Sequence, residues 1–121
     1  MTALVWVAVA LVGGIGSVAR FELDRAVTRR ANTGFPIGTF VVNISGATIL
    51  GLIGGAALPP PVALVAGTGL IGAYTTFSTW MYETYRLTEE RQRPYAVLNV
   101  IASVLAGLIA AACGQLIGEH L

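Results

Sequence analysis

Leu70-Ile-Gly-Ala-Tyr-Thr-Thr-Phe-Ser-Thr-Trp-Met-Tyr-Glu83 lies within an apolar run long enough to cross a bilayer, yet it is studded with polar groups. It carries four Ser and Thr hydroxyls (Thr75, Thr76, Ser78, Thr79), a glycine break at Gly72 and, three residues apart, the aromatics Phe77 and Trp80. Polar groups at membrane depth are costly unless protein or water satisfies them. Such a cluster marks a helix–helix contact or a permeation path, and not a lipid-facing surface.

The rest of the chain agrees that the surroundings are a membrane. Of 121 residues, 55% are hydrophobic and 11% charged, with mean hydropathy +0.77. A soluble domain has about 25% charged residues, so the composition is that of an integral membrane protein. Apolar runs cover about 3–20, 36–57, 62–85 and 94–118, each near the roughly 20 residues a spanning helix needs. The first ends where Arg20 can snorkel to the interface. Its start, MTALVWVAVALVGG, has no basic leader and no clear small-residue cleavage site, and reads as a retained first helix.

Polar segments separate the runs. FELDRAVTRRANTGF closes on the turn signal Asn32-Thr33-Gly34 before Pro36, which suits the first turn of a second helix. Pro59-Pro60-Pro61 predicts a tight, non-helical link between the second and third spans. Thr88 to Pro94 separates the third and fourth, with Pro94 at a helix start. The expected fold is one all-α transmembrane domain over residues 1–121, with the third of its four helices broken near Gly72–Thr75.

All seven basic residues are arginines, and all lie on one side. Arg20, Arg25, Arg29 and Arg30 belong to the first loop and its helix end; Arg86, Arg91 and Arg93 belong to the third. The positive-inside rule places both loops in the cytoplasm and both termini outside. Acids are interleaved with these arginines, so they form no nucleic-acid footprint. The lone cysteine, Cys113, is expected as a small buried packing residue without a disulfide or metal role.

Small and polar residues fall into stripes. In the fourth span Ala102, Ala106, Ala110, Gly114 and Gly118 recur every four residues, a ridge that lets membrane helices approach closely. About 100° around the helix run Tyr95, Asn99, Ser103 and Gly107, serving either as interhelical glue or as part of a path. The second span repeats the pattern with Thr39, Asn43, Ala47, Gly51 and Gly55, where Asn43 is either a tie between helices or a donor to a solute. Apart from Glu83, the spans hold no carboxylate. That disfavours a proton- or cation-coupled transporter, including a small four-helix drug antiporter, which would place an acid deep in its first helix. Donors without carboxylates suit a small anion, and aromatic edges are electropositive enough to help. A non-conducting scaffold would need only the small-residue ridges. There is no P-loop and no catalytic constellation, and His120 sits in the terminal tail, so no enzyme is expected. Four helices can hardly enclose a pore, which calls for two or more chains.

GGIGSVAR (13–20), PIGTFVVNISGATILG (36–51) and GLIGAYTTFSTWMYE (69–83) together resemble the Fluc family of small bacterial fluoride channels, also called CrcB proteins. The likeness covers three spans in motif and the whole chain in length and layout. It implies an antiparallel dimer of four-helix subunits in the bacterial inner membrane, with two fluoride pathways along the interface and a structural sodium ion at its centre. Gly72 and Thr75 would then lend backbone carbonyls to the sodium. Asn43 would donate to fluoride, Phe77 would present a ring edge, and Ser78 and Thr79 would supply hydroxyls. Trp80 stands where the family usually has a second Phe, keeping an aromatic edge and adding an indole N–H. Arg20 resembles the family's first-span arginine and Glu83 its acid near the end of the third span; with Tyr95, Asn99 and Ser103 they are candidates for the pathway or its vestibules. Because an antiparallel homodimer would favour little charge bias, the arginine asymmetry leaves two assemblies open: a homodimer, or a heterodimer with a paralogous subunit of opposite orientation.

Overall fold

The computed structural model describes residues 2–121. Four of its helical stretches are long and apolar enough to cross a membrane: Ala3–Ala31, Ile37–Gly55, Pro60–Glu89 and Arg93–Glu119. The first, α1 (Ala3–Ala31), begins at Thr2, whose hydroxyl accepts from the Val5 N–H, and runs well past Arg20. The polar segment after Arg20 is therefore helical and not a loop. It ends at Asn32, which takes the left-handed conformation (φ 44°, ψ 56°) and donates its N–H to the Thr28 carbonyl. Arg29 and Arg30 in the last turn complement the helix dipole.

The second helix, α2 (Ile37–Gly55), starts directly after Pro36. The proline link is shorter than the sequence predicts, because Pro60 and Pro61 open α3 (Pro60–Ala63). The first-turn N–H groups of a helix have no acceptor within it, so proline loses nothing there. A π-helical segment, Leu64–Ile71, follows, in which the Gly72 N–H reaches back five residues to the Gly67 carbonyl. After α4 (Gly72–Tyr74) the chain opens at Thr75 (φ −78°, ψ 159°) and resumes as α5 (Ser78–Glu89). The break thus occupies residues 75–77, while Gly72 itself is helical (φ −59°, ψ −38°). The last helix, α6 (Arg93–Glu119), has Pro94 in its first turn.

Glycine lets these helices touch at backbone distance. A Cβ on Gly51 or Gly55 of α2 would strike the Ala111 or Gln115 carbonyl of α6, and one on Gly114 or Gly118 would strike Thr48 or Leu52 of α2. α1 closes on the third span the same way, with Gly16 against the Leu70 carbonyl and Gly69 against the Val9 backbone. Buried apolar side chains are few among the described residues: Val42, Ile71, Leu87 and Ala96. Leu11, Ile15, Val18, Leu105, Leu108 and Ile109 all stand exposed, as lipid-solvated helices do. Cys113 is also exposed, contrary to expectation, because Gly114 and Gly118 take the inner face of α6.

Candidate functional site

The break in the third span is held by α2. Asn43 donates from Nδ2 to the Thr76 carbonyl at 2.9 Å and accepts the Thr76 N–H on Oδ1 at 2.9 Å. Both ends of the amide thus grip one peptide unit, 33 residues away in sequence. One Nδ2 hydrogen remains, since a primary amide has two. Below the break, the Tyr74 hydroxyl meets Ser45 Oγ at 2.8 Å. Gly46 is required between them, because a Cβ there would collide with the Thr75 methyl.

The geometry of the break frees particular backbone atoms. The Thr76 N–H, which an unbroken helix would aim at the Gly72 carbonyl, goes to Asn43 instead. The Thr79 N–H, which would serve the Thr75 carbonyl, goes to Thr76 Oγ1 at 3.2 Å. No hydrogen bond from a described residue reaches either carbonyl. Gly72 and Thr75 line one open groove of ≈ 540 Å³ with Gly67, Thr68 and Ile71. Among the described residues there is no group of three His, Cys, Asp or Glu side chains that could hold a metal. Two unpartnered amide carbonyls instead fit a hard cation, which prefers neutral or anionic oxygen.

Phe77 projects from the break, 69% exposed. Its ring meets that of Trp80 edge-on, with centroids 5.8 Å apart and planes at 81°. The Trp80 indole N–H donates to the Asn99 carbonyl at 3.1 Å, so it is engaged within the subunit. Asn99, wholly buried, donates to Thr84 Oγ1 at 2.9 Å and more weakly to the Trp80 carbonyl at 3.4 Å. A groove lined by Asn43, Gly46, Thr75, Thr76, Phe77 and Trp80 runs on from the one at Gly72.

Beyond Trp80 the inner faces of α2, α5 and α6 leave four buried polar atoms without partners: Thr39 Oγ1, Glu83 Oε1, Asn99 Oδ1 and Ser103 Oγ. Thr39 and Glu83 face each other, with Asp24 and Arg86 nearby, but neither atom completes a well-formed hydrogen bond. Ser103 shares a second groove with Asn43, Trp80 and Gly107. Buried polar atoms in such number call for water or a solute to satisfy them.

The structure therefore gathers Asn43, Phe77, Trp80, Asn99 and Ser103 around one seam, with the Gly72 and Thr75 carbonyls at its edge. Ser78, Thr79 and Glu83 line a shallow groove with Arg86 toward the arginine-bearing end. Arg20 lines none of the three grooves that hold Asn43, Phe77 or Glu83. Tyr95 turns away too, packing edge-on against Phe35 at 6.0 Å. The candidate set drawn from the sequence omits Thr39 and Thr76. Both sit one turn from a residue it includes, so helical spacing was the available signal.

Comparison with known proteins adds a family. The profile described as "CrcB-like protein, Camphor Resistance (CrcB)" matches residues 7–115. A protein of Mycobacterium bovis called Fluoride-specific ion channel FluC 2 is 56% identical over 119 residues, covering 98% of this chain and 94% of that protein. One of the same name from Mycolicibacterium paratuberculosis is 58% identical over 118 residues, covering 98% and 97%. Fluoride-specific ion channel FluC 1 of Leifsonia xyli subsp. xyli is 44% identical over 122 residues, covering 98% and 89%.

Proposed function

The chain belongs to the CrcB family, and on that premise we propose that it is a fluoride-selective channel subunit that lets cytoplasmic fluoride leave the cell passively. One observation supports this above the others. The two grooves that Asn43 lines between α2, α5 and α6 carry uncharged donors and aromatic rings, Ser103, Thr76, Phe77 and Trp80 among them, and no carboxylate. A small, strongly hydrated anion needs such uncharged donors to replace its water, and carboxylates would repel it. Fluoride enters as the neutral weak acid, ionises at cytoplasmic pH and is trapped; a passive path down its gradient suffices, helped by the negative interior.

The assembly is an antiparallel dimer in the bacterial inner membrane, with the arginine-bearing helix ends in the cytoplasm for this subunit. Support comes from Phe77 and the Gly72–Thr75 groove, which lie open on one face of a single subunit. Asn43, Phe77 and Trp80, with the Ser78 and Thr79 hydroxyls, line the fluoride path; Thr39 and Ser103 offer it further hydroxyl donors, and Glu83 and Asn99 stand beside it. Arg20 and Tyr95 belong at most to the approaches. The Gly72 and Thr75 carbonyls fit a structural sodium ion, whose charge would tie the breaks of two subunits together. The arginine bias favours a partner of opposite orientation over a second copy, because a fixed orientation cannot supply both halves of an antiparallel pair.

The test is fluoride efflux from liposomes, read with a fluoride electrode without a proton gradient. The subunit is reconstituted alone and then with a paralogous partner. Efflux in the paired sample alone supports the heterodimer; efflux from the lone subunit makes it a homodimer. No efflux in any combination rejects the channel.

A further inference from the structure

We propose that Asn43 and Thr76 are positioning residues for the cation site: their side-chain oxygens hold away the two N–H groups that would otherwise close onto the Gly72 and Thr75 carbonyls. The inference rests on the sodium reading and goes further, naming what keeps those carbonyls open. A continuous α-helix pairs each carbonyl with the N–H four residues on. For Gly72 that donor is Thr76, diverted to Asn43 Oδ1 at 2.9 Å; for Thr75 it is Thr79, diverted to Thr76 Oγ1 at 3.2 Å. The two diverting oxygens come from different places, α2 and the break itself. Asn43 adds a second hold by donating to the Thr76 carbonyl at 2.9 Å.

It follows that one amide serves two sites through opposite ends. Its oxygen keeps a carbonyl free for the cation, while its spare N–H is left for an anion in the grooves that Asn43 lines. Substitutions separate the two roles. Asn43→Asp retains an acceptor for the Thr76 N–H and loses the donors; Asn43→Leu loses both. Thr76→Ser keeps the accepting oxygen, and Thr76→Val removes it with little change of shape.

The experiment is thermal unfolding of the assembled dimer in detergent, in sodium chloride against choline chloride at equal ionic strength. A cation bound only by the folded dimer raises the midpoint. The wild type, Asn43→Asp and Thr76→Ser are expected to melt higher in sodium. Asn43→Leu and Thr76→Val are expected to lose that increment, and Asn43→Asp to lose fluoride flux despite keeping it. If Asn43→Leu does not assemble, Thr76→Val carries the test. A wild type that melts alike in both salts removes the sodium reading and this inference with it. A responsive wild type whose Leu and Val variants keep the whole increment leaves the sodium reading standing and overturns the positioning roles.

Discussion

Phe77 and Gly46 show how differently two residues of one seam can matter. Phe77 makes a single edge-on ring contact and is otherwise open, so it contributes little to the subunit's own packing. Phe77→Ile is expected to cut fluoride flux at least about tenfold, roughly 1.4 kcal/mol on the barrier, while the dimer still elutes normally in gel filtration. Unchanged flux would remove the ring from the path. Gly46 has the reverse character, being buried against the Thr75 methyl. Gly46→Ala forces the break to shift and is expected to lower stability by about 1–3 kcal/mol, read as a lower midpoint in detergent melts. At this scale the sequence was informative about residue type and silent about partners. That Asn43 is polar in a membrane was plain; that it grips the Thr76 peptide was not, because the contact joins residues far apart in the chain.

The helices divide in the same way. The four-residue spacing of small residues in α6 was legible, and the structure sets its last members, Gly114 and Gly118, against α2 carbonyls. Gly114→Leu should therefore prevent α2 and α6 from closing. The expected result is aggregated or absent protein on gel filtration, and a monodisperse dimer with wild-type flux would show the seam to be dispensable. The length of α1 was not legible. Hydropathy marks the membrane boundary, whereas a helix stops at its cap, here Asn32. The break, too, lies just beyond its apparent sequence signal. Gly72 stays helical, and the opening comes where side-chain oxygens capture the Thr76 and Thr79 N–H groups.

For the whole molecule, a core of so few buried side chains cannot hold a fold in water. In the proposed assembly, lipid and a second subunit cover what the four helices leave open. Overall charge and hydropathy made the membrane setting readable from the sequence, and the arginine bias predicts an orientation. The assembly could not be read the same way, since an interface between chains leaves no periodicity of its own. The central claim is that the uncharged donors gathered at the Asn43–Trp80 seam conduct fluoride and little else. Its most direct measurement is the reversal potential of the reconstituted dimer in a planar bilayer, with fluoride graded across the membrane and chloride equal on both sides. The account predicts a reversal potential at the fluoride equilibrium value that does not move with pH on either side. A value near zero, or one that follows the proton gradient, would contradict it.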